Sequence, residues 1–157
     1  MTPGGDRMLK IYGTREPPAG QMTLRAGPLK AVFAAGGLRG IFYDGHEVLR
    51  GISYLVRDEN WGTCPARIRN VEVRKGKARF SICYSAVARS GDASLSFDAN
   101  IEATPASVVF RVSAVPDSDF RTNRTGFVVL HPITGVAGKA LTVTHTASAS
   151  SPALLIE

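Results

Sequence analysis

Two stretches gather most of the side chains able to do chemistry. VRDENWGT, residues 56–63, sets the single tryptophan, Trp61, among Arg57, Asp58 and Asn60. FRTNRTGFVVLHP, residues 120–132, packs Arg121, Asn123 and Arg124 ahead of an apolar run that ends in His131. An indole face stacks on the C–H groups of a sugar, while amides, carboxylates and guanidinium forks bind its hydroxyls or acid group. An imidazole at a strand end can act as a base or as a hydrogen-bond donor. These eight residues form the candidate set for a ligand site or a domain interface. Each also has a structural use. Folding Trp61 over the core would bury roughly 150–250 Å² of indole, worth several kcal/mol. The arginines can cap a sheet edge and pair with Asp117 or Asp119, and His131 can satisfy a backbone group before Pro132.

Other chemistry has weaker support. The chain has no Gly-x-Ser-x-Gly elbow, phosphate loop, His-Glu-x-x-His or Cys-x-x-Cys. His46, His131 and His145 fall in different strands or turns, so neither a metal nor another cofactor is expected, and no catalytic residue is assigned. The net charge is +6. Much of it lies in RIRNVEVRKGKAR, residues 67–79, which carries Arg67, Arg69, Arg74, Lys75, Lys77 and Arg79. Nucleic acid is not the expected partner, because base stacking needs exposed aromatics that this hairpin lacks. Basic hairpins also keep sheet edges from pairing with other chains. Cys64 and Cys83 read as reduced thiols, with a disulfide left open.

The elements that must position these residues are strands. ASLSFDANIEA, residues 93–103, alternates strictly, with Leu95, Phe97, Ala99 and Ile101 on one face and Ser96, Asp98, Asn100 and Glu102 on the other. RFSICYSA and SVVFRVSAV repeat the pattern, putting Phe80, Ile82, Tyr84, Val108, Phe110 and Val112 inward. Turn residues fall between the runs at Gly36-Gly37, Asp44-Gly45, Lys75-Gly76, Ser90-Gly91-Asp92 and Thr104-Pro105. The spacing predicts an all-β antiparallel sandwich of about ten strands with little or no helix. LRGIFYDGHEVLRGISYLV and GFVVLHPI are more continuously apolar than the other runs, so both are expected at the centre of a sheet. Residues 13–21 read as a loop and 146–152 as a tail. The 157 residues fit one domain, 1–157, with an ordered core of about 8–146 and a tail at 147–157. No apolar run is long enough for a membrane helix and no secretory leader is visible at the start, so a cytoplasmic location is expected.

The ordered set IYGT (11–14), LRAGPLKAVF (24–33), GGLRGIFYDGHEVLRGI (36–52), VRDENWGT (56–63) and NRTGFVVLHPI (123–133) resembles the N-terminal domain of the D-apionate lactonase family. The resemblance covers roughly residues 10–146. These are bacterial sugar-catabolic proteins that open lactones related to apiose. It implies a longer protein, with this β-rich domain followed by a barrel that carries the catalytic acids. The chain departs from the family after the LTVTHT-like strand, into ASASSPALLIE, and looks truncated before that barrel. The expected role is therefore an accessory domain of a sugar-lactone hydrolase, not catalytic alone. A sugar lactone or sugar acid and the missing domain are the expected partners. One alternative is a stand-alone carbohydrate-binding or galactose-mutarotase-like module using Trp61, Arg124 and His131. Another is a structural domain that self-associates through Leu154, Leu155 and Ile156.

Overall fold

The computed structural model describes residues 20–145 and 148–154. It has eleven strands: β1 (Gln21–Ala26), β2 (Leu29–Ala34), β3 (Gly37–Tyr43), β4 (His46–Arg57), β5 (Ala66–Lys75), β6 (Phe80–Ser90), β7 (Ala93–Thr104), β8 (Ser107–Pro116), β9 (Arg124–Leu130), β10 (Ala140–His145) and β11 (Ser148–Leu154). Among the described residues there is no helix, and so none long and apolar enough to cross a membrane. The IYGT motif, most of the 13–21 segment, Leu155 and Ile156 lie outside the described residues.

The strands form a five-stranded sheet ordered β1-β2-β3-β4-β9, a four-stranded sheet ordered β5-β6-β7-β8, and a separate β10-β11 pair. Every pairing is antiparallel. The two larger sheets pack face to face, and aromatic rings mark the contact. Phe33 of β2 meets Tyr84 of β6 at 6.1 Å, Tyr54 of β4 meets Phe97 of β7 at 5.0 Å, and Phe127 of β9 meets Phe110 of β8 at 5.1 Å. These separations suit tilted and edge-on ring pairs. The predicted alternation holds on β6 and β7: Phe80, Ile82, Tyr84, Leu95, Phe97, Ala99 and Ile101 are buried. Each large apolar side chain sealed this way stabilises the fold by about 1.5–3 kcal/mol.

Turn chemistry sets the register. Ala35 and Gly36, between β2 and β3, have φ of 48° and 77°, and Asp44 and Gly45, between β3 and β4, have 47° and 81°. Two successive positive φ values are the mark of the tight turn whose twist matches paired strands. The first turn is also locked from across the core, where the Tyr84 hydroxyl donates to the Gly36 carbonyl at 2.6 Å. Burial pushes that phenol up to about 12.

Two expectations are corrected. GFVVL is not central: among the described residues β9 is an edge strand, paired only with β4. β3 does lie at the middle of its sheet, with β4 beside it. Residues 148–154, expected as tail, form β11, which pairs with β10 and makes the strand count eleven. The basic run 67–75 is β5, an edge strand with its arginines exposed, where charge keeps the edge from pairing further. Both cysteines are free thiols, Cys64 buried and Cys83 exposed.

Candidate functional site

The two chemistry-rich stretches are the two crossings between the larger sheets. The chain leaves β4 at Arg57, turns through 58–65 and enters β5 on the other sheet. It returns from β8 through 117–123 and enters β9 at Arg124. Because β9 pairs antiparallel with β4, Arg124 lies opposite Arg57, and both crossings meet at one end of the sandwich.

The 58–63 turn is built by its own polar groups. One carboxylate oxygen of Asp58 accepts the N–H groups of Asn60 and Gly62, both at 2.8 Å. Arg57 donates to the Trp61 carbonyl and to the Thr63 hydroxyl, both at 2.9 Å. Such self-bonding by an Asp is the usual local alternative to a strand ladder. A side chain at position 62 would run into the Asp58 carboxylate, so glycine is required there. These bonds hold Trp61 at φ 67°, a left-handed backbone that costs a bulky residue roughly 1–2 kcal/mol. Its side chain is not sealed in the core, for Trp61 is 54% exposed.

The second crossing zips onto the first. Thr122 donates its hydroxyl to the Arg57 carbonyl at 2.6 Å, and the Asn123 N–H donates to the Asp58 carbonyl at 3.2 Å. The Arg124 guanidinium sits over the Trp61 ring, 5.6 Å from its centroid, a cation–π contact. Arg121 pairs with Glu59 at 3.7 Å, and Asp117 instead takes the hydroxyls of Ser94 and Ser96, which hold its carboxyl below the usual range. Seven of the eight candidate residues thus lie at one corner. His131 does not. It follows the far end of β9, about 20 Å away along an extended strand.

Within the corner, the side chains of Arg57 and Asp58 are occupied by the turn, while Asn60, Trp61, Asn123 and Arg124 are exposed. That leaves an aromatic platform, two amides and a guanidinium, a set suited to a hydroxylated acid or to a protein surface. A cleft of about 210 Å³ lies at Glu59, Ser90, Ala93, Asp119 and Arg121. Asp58→Ala is expected to cost about 1–2 kcal/mol by removing the charged acceptor of two turn bonds, and to red-shift Trp61 emission as the indole loosens from Arg124. Urea unfolding and the emission spectrum check this, and Asp58→Asn, which keeps an acceptor, should recover most of both.

A second concavity, of about 650 Å³, lies on the outer face of the four-stranded sheet. The register lines up Glu72, Cys83, Asn100 and Arg111 there, with Ser85, Asp98 and Ser113 in the next row. The Asn100 side-chain oxygen is buried without a partner. In the sequence, Asp98 and Asn100 are legible only as part of a water-facing row. The signal available was their alternation, but the cross-strand register that lines them up with Glu72 and Arg111 is not visible in one strand. Among the described residues no cluster of His, Cys, Asp and Glu could hold a metal ion.

Two face-to-face antiparallel sheets, with the exposed aromatic and polar residues gathered where the chain crosses between them, define an all-β sandwich domain with one chemically distinctive end. Its sequence matches the D-apionate lactonase N-terminal domain over residues 9–155, and the chain belongs to that family. It is similar to a D-apionate lactonase of Brucella anthropi, with 43% identity over 137 residues, 86% of this chain. The chain spans only about a fifth of that relative's length, 22%. No solved structure matches it.

Proposed function

We propose that this domain is the non-catalytic N-terminal part of a sugar-lactone hydrolase, and that it supports or helps to shape a substrate site carried elsewhere in a longer protein. The observation that carries this is the relative's proportion: a named lactonase to which this chain corresponds over only 22% of the length. The geometry is compatible. Arg57 and Asp58 hold their own turn, and His131 stands apart from the other candidates, so the corner has the makings of a contact surface more than of an acid–base pair. The test is to incubate the chain with the lactone of D-apionate and follow ring opening. No rate above the buffer control is expected. Turnover on the order of 1 s⁻¹ or more, lost in His131→Ala, would overturn the reading.

A second reading is favoured by one observation, the 54% exposure of an indole held in a left-handed backbone. Backbone strain of that kind collects at functional sites. On this reading the corner binds a sugar acid or lactone directly, through Trp61, Arg124 and the two amides. As the single tryptophan, Trp61 reports on it: an aldonolactone titration that changes its emission supports binding, and a flat titration removes it.

A further inference from the structure

We propose that the open edge of β9 receives an added strand from the part of the longer protein that lies outside this domain. The proposal rests on the accessory reading above and names the surface through which it would act.

The two larger sheets have four edges, and they are not alike. β5 carries Arg67, Arg69, Glu72, Arg74 and Lys75. β1 carries Arg25 and β8 carries Arg111 inside the strand, whereas the one charge of β9, Arg124, stands at its first position. Charge within an edge strand is a usual means of keeping it from pairing. After Arg124, β9 reads Thr-Gly-Phe-Val-Val-Leu, with no charge at all.

Both faces of β9 are apolar as well. The register with β4 puts Phe127 and Val129 on the face toward the other sheet, and Val128 and Leu130 on the outer face. Phe127 is 44% exposed, Val129 46%, Leu130 54% and the following Ile133 75%. A strand apolar on both faces is the pattern of one flanked on both sides and covered above and below. That pattern is why the sequence reads as central. The strand sits at an edge because, among the described residues, nothing pairs with its free side. Adding a strand there would bond the open row of N–H and C=O groups and cover the apolar side chains, which is how extended segments join sheets.

The occupant we assign is the remainder of the longer protein. The Brucella relative supplies it in length, since this chain accounts for 22% of that protein. A second copy is disfavoured by charge: with 19 Lys and Arg against 13 Asp and Glu, two copies carry +6 each and repel. The added segment should be extended and apolar on both faces, with an acidic or hydroxyl group at the end that meets Arg124.

Residue-resolved hydrogen exchange tests this. Protection factors are measured for the β9 amides that are not bonded to β4, in this chain alone and in the matching strand of the intact Brucella lactonase. The expected result is near-random-coil exchange in the chain alone and protection at least about 100-fold higher in the intact protein. Equally weak protection in both means no strand is added, and overturns the proposal. Strong protection in the chain alone also overturns it. If that protection rises with concentration, the edge belongs to a second copy; if it does not, the chain covers its own edge. Lactone turnover by the chain alone would sink the accessory reading without altering the exchange result. Weak exchange protection in both proteins would sink strand addition and leave the accessory reading standing.

Discussion

Gly36→Ala is expected to lower the stability of the domain by about 2 kcal/mol. Position 36 has φ +77°, where a side chain is disfavoured by roughly 1–2 kcal/mol. The new methyl would also stand 2.8 Å from Ile68 Cδ1, the free end of a half-buried side chain that can turn aside, and 3.1 Å from Tyr84 Oη, adding roughly 0.5–1.5 kcal/mol. Gly45→Ala isolates the first contribution. Its φ is +81° but nothing lies within 4 Å, so about 1 kcal/mol is expected. Urea unfolding of the two variants separates strain from collision. Burial of the Tyr84 hydroxyl makes the stability of the domain depend on pH. Burial raises this phenol from 10.0 to about 12, so its contribution is complete below pH 10 and fades as pH rises through about 12.

Ile101→Ala is expected to cost about 3–4 kcal/mol. Ile101 is 0% exposed in the middle of β7, and truncation there leaves a cavity that close-packed neighbours fill only in part. Leu130→Ala removes a similar amount of apolar side chain, yet in this chain it should change stability by no more than about 0.5 kcal/mol, because Leu130 is already half in water. Thermal unfolding of both variants checks the contrast. The gap between two aliphatic truncations measures how unfinished the β9 side of the sandwich is.

Much of the fold was legible because local rules and the final architecture agree. Residues 93–103 alternate, and β7 buries the alternate residues between two neighbours. Asp44-Gly45 reads as a hairpin turn and has the φ pair that a hairpin needs. The position of β9 was not legible, since a continuously apolar run has the same sequence whether its second neighbour belongs to this domain or to something outside it. β11 was missed for another reason. Its SASSPAL stretch is rich in small residues, and its pairing depends on β10, not on any pattern of its own.

The site divides along the same line. Each half of the corner stood out by residue type, but their meeting is a product of topology: β9 pairs with β4, which brings Arg124 over Trp61. His131 was grouped with Arg124 on closeness in sequence. An extended strand turns seven positions into a distance that no side chain spans. The outer groove around Asn100 was missed because its residues come from four strands that line up only once the register is set.

The pairing of β9 with β4 also bears on how the chain folds. β1 to β4 form successive hairpins, and so do β5 to β8, so each run can assemble from near neighbours. The β4–β9 ladder is different, for the Thr122–Arg57 bond that seals its end joins residues 65 positions apart. Closing so long a loop carries its entropic cost before any contact repays it. β9 is therefore the natural last strand to dock, and the folding rate should follow the closure of this ladder more than the formation of either hairpin run. During synthesis the edge of β4 that β9 will cover waits longest for its neighbour, since β9 follows it in the chain, and that interval is when the edge is most open to aggregation.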